Sequence, residues 1–276
     1  MVANAYYNGE FSLKENIKIS LSDRAVFFGD AVYDMMIGSN GKIYQASEHL
    51  SRLFFGASAL GIKHNLTEDK VYDKISKVIE LSGLKSYSIY IQLSRSAKER
   101  NHSAFGLKDY NLLIYVDKYN LPEEPEKIKL CTAEDKRYYF CNVKTINLLP
   151  AVLAATKADE LGFEETIFHR GKYVTECSHS NVLIMKNNVI YTHPLCNLIL
   201  PGITRGKLLS VARGLGIKII EEPFTISDLY NADDVIITST TKLLRTASEI
   251  DGIRNFGIEK ATTARLFYEL KRKILE

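Results

Sequence analysis

The chain has 276 residues, 46% hydrophobic and 25% charged, which suits one large globular domain or two modest ones. With 36 basic residues against 33 acidic ones, a net charge of +3 and no dense basic tract, nucleic acid is not expected to be the main partner.

In chain order, Asn8-Gly9 in "YYNGEFSL" and Asn40-Gly41 in "YDMMIGSNGKIYQA" lie between β-prone segments. Asn-Gly is the strongest short hairpin signal, because both residues tolerate positive φ. "SEHLSRLFFGASALG" predicts a helix capped by Ser47, with Leu50, Leu53, Phe54, Ala57 and Leu60 at helical spacing and a stop at Gly61. A second helix is predicted through "TEDKVYDKISKVIELSG", where Val71, Ile75, Val78 and Ile79 share a face and Gly83 closes it. "YSIYIQLS" and "YNLLIYVDK" read as strands separated by the polar loop "RSAKERNHSAFGLKD". "KYNLPEEPEK", 118–127, combines two prolines with a charge cluster and no periodicity, and is the best domain boundary. Beyond it, "KIKLCTA", "ETIFHR", "KYVTE", "NVLIMK" and "VIYTH" read as strands, with turns at Arg170-Gly171 and Asn187-Asn188. Helices are predicted at about 204–215, 225–231 and 258–275, with the strand "DVIITS" among them. Strand clusters with interspersed helices, rather than a regular β-α alternation, predict an α+β fold.

Cys131, Cys141, Cys177 and Cys196 show neither CxxC spacing nor the density of a disulfide scaffold, which points to a reducing compartment and no metal site. The N-terminal "MVANAYYNGE" has no signal-peptide pattern, and no apolar run approaches the roughly 20 residues that cross a bilayer. A soluble, cytoplasmic protein is expected.

Lys144 stands out in "CNVKTINLLPAVLAATKADELG", between Val143 and Thr145 in a run that otherwise reads as buried, with a helix opened by Pro150. Burying a lysine is costly unless the amine is neutral or paired. Either the amine snorkels to water, or it is desolvated and suited to a Schiff base with a carbonyl. In "ILPGITRGKLLSVARGLG", Gly202, Ile203 and Thr204 start a helix whose free N–H groups would suit a phosphate or form an ordinary capped turn. The hydroxyl run in "ITSTTK" could bind an anion or turn the chain. Arg52 could supply a cation or coat a surface. In "VTECSHSN", Glu176 is either an exposed loop carboxylate or the partner of a ring nitrogen or a lysine. In "RNH", Arg100 and His102 suit an anion, although on spacing alone a mobile surface loop is the better reading.

Taken together, "SDRAVFFGDAVYD", "EHLSRL", "RNH", "VKTINLLPAVLA", "TECSHSN", "YTHPLCNLILPGITR" and "TSTTK" resemble the class IV pyridoxal-phosphate aminotransferases, specifically the D-amino acid (D-alanine) aminotransferases. The matches run in family order from about Asp23 to Ile250. The resemblance implies fold type IV: a small α/β N-terminal domain (1–118), a linker (119–127) and a larger pseudo-barrel domain (128–276). Pyridoxal 5′-phosphate would lie in the cleft between the domains of a homodimer. By the same resemblance, Lys144 holds the cofactor as a Schiff base and Glu176 faces the pyridine nitrogen. Arg52, Ile203, Thr204, Ser239 and Thr240 form the phosphate set, and Leu200 lies behind the ring. Tyr33, Arg100 and His102 trap the substrate carboxylate, the arginine and histidine arriving from the partner subunit. Asp34 departs from the glutamate usual in close relatives, and Cys177 and His179 replace smaller residues; packing is the favoured reading of these two. Arg137 matches a family arginine without an assigned role.

The implied reaction moves the amino group of D-alanine to 2-oxoglutarate, giving pyruvate and D-glutamate, with small amino and oxo acids as the only partners besides the second subunit. Alternatives on the same fold are an aminodeoxychorismate lyase and a branched-chain L-aminotransferase, from which Tyr33 and Arg-x-His at 100–102 separate this chain. A non-catalytic, cofactor-binding dimer is the alternative of a different class, and the intact Lys144 and Glu176 argue against it.

Overall fold

The computed structural model describes residues 2–256 and 260–276. They form two compact units, one made by the chain up to Leu121 with Val143–Asn147, the other by Pro122–Asn142 and Leu148–Glu276.

The first unit begins with the hairpin β1 (Ala5–Tyr7) and β2 (Glu10–Ser12), turned at Asn8-Gly9 with both residues at positive φ. A short helix, α1 (Arg24–Phe28), leads to β3 (Ala31–Ser39) and β4 (Lys42–Ile43), whose turn is Asn40-Gly41. Helices α2 (Ala46–Ala59) and α3 (Glu68–Ser82) precede the long strands β5 (Ser86–Arg95) and β6 (Tyr110–Lys118). The sheet runs β2-β1-β6-β5-β3-β4, and every pairing in it is antiparallel. Leu50, Leu53 and Ala57 of α2 and Val71, Ile75 and Val78 of α3 bury their helical stripes against Met36, Ile89, Ile91, Ile114 and Val116. Each fully buried aliphatic side chain contributes roughly 1.5–3 kcal/mol. Ser47 is not the cap of α2. The helix starts one residue before it, from Gln45 in the left-handed region, and the Ser47 hydroxyl instead donates to Glu68. Thr67 does cap α3, accepting from the Lys70 amide, and Gly83 ends it.

The second unit is built on a nine-stranded sheet that curls into a half-barrel. Its elements are β7 (Glu126–Glu134), α4 (Leu149–Glu160), β8 (Glu165–Arg170), β9 (Tyr173–Cys177), β10 (Asn181–Lys186) and β11 (Val189–Thr192). There follow α5 (Ile203–Gly214), β12 (Lys218–Glu221), α6 (Ile226–Tyr230), β13 (Asp234–Ser239), β14 (Leu243–Ile250), β15 (Arg254–Asn255) and α7 (Lys260–Leu275). The predicted helix at 258–275 is seen over Lys260–Leu275, and positions 258 and 259 lie outside the described residues. The strand order β12-β11-β10-β13-β14-β7-β8-β9 mixes parallel and antiparallel pairs, with bulges in β8–β9 and β14–β7. Phe224 and Leu229 fill the core with Ile128, Leu130, Ile167, Val182, Ile184, Val235 and Ile237. Among the described residues, no helix is long and apolar enough to cross a membrane and no side-chain group is arranged to hold a metal.

Candidate active site

In the first unit, Lys144 does not lie on a regular strand. Its segment is extended, with one isolated bridge between Thr145 and Val32, and its backbone is tied to the start of β3. The Lys144 carbonyl accepts from the Tyr33 amide at 2.9 Å, the Ile146 amide donates to Ala31, and the Asn147 side chain donates to the Gly29 carbonyl at 2.9 Å. Val143 and Thr145 are buried on either side, while Lys144 itself is half-buried, its Nζ 4.3 Å from the centre of the Tyr33 ring. Tyr33 stacks in turn on Tyr90 and Tyr90 on Tyr115, so the phenol facing the lysine is part of a rigid aromatic row.

The alternation of β3 turns Asp34 to the other face, where it is fully buried. Arg52 Nε and Nη2 grip its two oxygens at 2.8 Å each, and His49 Nδ1 lies 2.7 Å from Oδ1. Burial opposes ionisation of Asp34, but the Arg52 charge and the two hydrogen-bonding partners outweigh it and hold the carboxyl well below the usual range. His49 is held below its ordinary value, first by burial, with Arg52 and Lys144 adding to the effect. One turn of α2 presents both partners, since residues three apart share a helix face. Arg52 is therefore a cation fixed in place by Asp34, a job for Asp34 that the residue's departure from the family pattern did not reveal.

Arg100 and His102 are exposed on the irregular loop between β5 and β6, and both pack on Phe28, the arginine at 5.2 Å and the histidine at 5.3 Å between centres. Tyr33 belongs to the same unit, on the sheet.

In the second unit, Glu176 on β9 is 5% exposed and fully partnered. Arg137 Nη1 donates to Oε1 at 2.5 Å, while Asn181 Nδ2 and the Leu200 amide donate to Oε2 at 2.8 and 2.9 Å. Burial pushes the carboxyl up to about 7, against the pull of Arg137 and the Leu200 amide. Arg137 is itself braced by two hydrogen bonds, from Nε and Nη2, to the two oxygens of Asp135, which also pairs with Arg170. Arg137, matched to a family arginine without an assigned role, gains one here; the local sequence signal is the Asp135-x-Arg137 spacing, closed by a hydrogen bond from the Arg137 amide to Asp135.

Leu200 is brought to Glu176 through its backbone amide, and its carbonyl accepts from Asn181 at 3.0 Å. Gly202, the N-cap of α5, offers no capping side chain, leaving the first-turn amides near Ile203 and the buried Thr204 without a side-chain acceptor from the cap. A Cβ at Gly202 would sit 1.9 Å from Asn181 Oδ1, so a larger residue here would have to displace the Asn181 side chain. Ser239 ends β13 and Thr240 enters the turn to β14, closed by the pair Ser239–Leu243. Leu243 takes a left-handed φ of 55° there, a strained conformation for a leucine. Cys177 is buried in the core with its thiol pushed up by burial, which makes it a packing residue. His179 is mostly exposed, 3.1 Å from the buried Glu165 carboxylate.

The family model for class IV amino-transferases matches residues 31–250, and the chain belongs to this pyridoxal-phosphate-dependent family. It is 36% identical to a D-alanine aminotransferase of Staphylococcus aureus (strain N315) over 90% of this chain and 89% of that protein. A D-alanine aminotransferase of Bacillus licheniformis is 34% identical over 89% and 88%. Among solved structures, a branched-chain aminotransferase of Thermoproteus uzoniensis superposes with a TM-score of 0.91 at 22% identity, covering 99% of this chain and 95% of that one. A putative 4-amino-4-deoxychorismate lyase of Legionella pneumophila gives 0.86 at 24% identity, covering 94% and 96%. These likenesses establish fold type IV. The residues present fit the cofactor: a buried carboxylate that burial pushes up to about 7 suits a pyridine nitrogen, and the α5 amides beside Gly202, which brings no side chain of its own, suit a phosphate.

Proposed function

We propose that the chain is a D-amino acid aminotransferase, moving the amino group of D-alanine to 2-oxoglutarate in a homodimer. The observation that carries the substrate reading is the presentation of Arg100 and His102 together on one aromatic ring, an exposed guanidinium and imidazole suited to a carboxylate. The identity to D-alanine aminotransferases supports it. Exposed Val26, Phe27 and the 98% exposed Phe105 near the same loop support coverage of this face by a second subunit, to whose site Arg100 and His102 contribute.

When bound, pyridoxal phosphate supplies an electron sink for the carbanion formed at the substrate's α-carbon. Lys144 Nζ would hold the cofactor and, once freed by the amino substrate, would carry the proton from the substrate's α-carbon to the C4′ carbon. Glu176 would keep the pyridine nitrogen protonated; burial raises this carboxyl, Arg137 and the Leu200 amide pull it back towards a range where a cationic neighbour completes its ionisation, and Asn181 holds it in place. Leu200 supports the ring, and Ile203, Thr204, Ser239 and Thr240, with the Asp34-fixed cation of Arg52, hold the phosphate. Tyr33, Arg100 and His102 orient the substrate carboxylate.

The test is a panel of D- and L-amino acids with 2-oxoglutarate, followed by chiral analysis of the glutamate formed. D-alanine giving D-glutamate is the expected result. L-leucine giving L-glutamate would replace this reading with a branched-chain one, pyruvate released from aminodeoxychorismate without an oxo acid would replace it with a lyase, and bound cofactor without turnover would leave a binding dimer.

A further inference from the structure

We propose that α1 is the positioning device of the carboxylate trap, with Arg24 clamping the backbone of the loop and Phe28 serving as the platform for its side chains. The inference rests on the reading of Arg100 and His102 as that trap. Arg24 is 5% exposed although it opens a helix of five residues. Its Nη1 donates to the Asn101 carbonyl at 2.5 Å and its Nη2 to the His102 carbonyl at 3.1 Å, so the guanidinium is spent on the peptide units on either side of His102, directly after Arg100. Its Nε pairs with Asp30 at 2.8 Å. Asp30 is held again by Arg95, which also donates to the carbonyls of Leu60 and Gly61 at the end of α2. The clamp is thus anchored in the body of the unit, not in the loop.

The base of the loop is closed separately. The Ser96 amide donates to the Asp109 carbonyl, Ala97 bridges Asp23, and the Lys98 amide donates to Ser22. The stretch beyond Lys98 has no regular structure, and Arg24 is the buried group that fastens its tip. Above this clamp, one ring collects three groups: Arg24 at 4.7 Å, Arg100 at 5.2 Å and the His102 imidazole at 5.3 Å. Two guanidiniums and an imidazole gathered at one site would repel when charged. The ring faces attract cations and Asp30 neutralises Arg24, which lets the pair be held together before a carboxylate arrives. Pre-arrangement lowers the ordering cost of binding, and that cost falls on every ligand that carries the carboxylate.

The experiment compares Phe28→Leu, Arg24→Met and Arg24→Lys with wild-type holoenzyme, with Arg100→Ala as the reference. KM is measured for D-alanine and 2-oxoglutarate, and single-turnover rates for D-alanine and for 1-phenylethylamine, which has no carboxylate. Phe28→Leu and Arg24→Met should raise both KM values about tenfold, the effect of weakening one charge-assisted contact, with kcat held within about twofold. The rate with the carboxylate-free amine and the bound-cofactor absorbance should not change, and Arg24→Lys should recover part of the loss. Equal losses with both amines, or a lower kcat at constant KM, would reduce α1 to a structural element and overturn the proposal. So would normal KM values in Phe28→Leu when Arg100→Ala raises them, which would leave the trap standing. Unchanged KM in Arg100→Ala would overturn the trap and the proposal with it.

Discussion

Replacing Glu176 by glutamine should change how stability depends on pH. In the folded chain burial lifts the Glu176 carboxyl from its ordinary 4.5 to about 7, only partly opposed by Arg137. A folded value above the unfolded one means that the stability linked to the bound proton is fully present below about pH 4.5 and is lost as the pH rises through about 7. A difference of about 2.5, at about 1.36 kcal/mol for each, amounts to something on the order of 3 kcal/mol. The glutamine variant cannot titrate, so its unfolding free energy minus that of the wild type should grow by about 3 kcal/mol between about pH 4 and pH 8. Taking the difference removes the other titrating groups and any constant cost of placing an amide beside Arg137. The assay is urea unfolding of cofactor-stripped protein by circular dichroism across that range. A difference that stays flat, or that shrinks as the pH rises, would falsify the argument, because it would mean that Arg137 overcomes burial and keeps Glu176 ionised throughout.

Asp34→Asn should destabilise the protein by about 3–5 kcal/mol, because it leaves the buried Arg52 guanidinium without its counter-ion and alters the hydrogen bond to His49; a thermal melt equal to wild type would show that the pair contributes nothing. Gly202→Ala should raise the dissociation constant of pyridoxal phosphate by at least about tenfold, since the new methyl displaces the Asn181 side chain that also holds Glu176. Fluorescence titration of the stripped protein checks this, and an unaltered constant would show that Asn181 gives way without consequence.

Much of the secondary structure was legible because its signals are local. Asn8-Gly9 and Asn40-Gly41 do turn hairpins, and "ETIFHR" coincides with β8. The buried stripe of α3 matches Val71, Ile75, Val78 and Ile79. What could not be read depends on partners far away in the chain. Helix α1 is too short to show a period. The Lys144 segment takes its backbone bonds from β3, more than a hundred residues earlier, and so belongs to the first unit although its neighbours on both sides belong to the second. Arg137 and Arg24 both sit in charged or mixed stretches that resemble solvated surface, and only folding brings Glu176 to the first and the Asn101 carbonyl to the second. A buried ion pair leaves no mark in composition, because each half looks like any exposed charge until its partner is known. Candidate site residues were therefore legible as types suited to a task, while the groups that tune and place them were not.

The central claim is that Lys144 is the residue to which the cofactor is attached. Borohydride reduction of the holoenzyme, proteolysis and mass spectrometry of the peptides measure this directly. The account predicts a pyridoxyl adduct on the peptide containing Lys144, and none in Lys144→Ala. An adduct on another lysine, or the same labelling in Lys144→Ala, would contradict it.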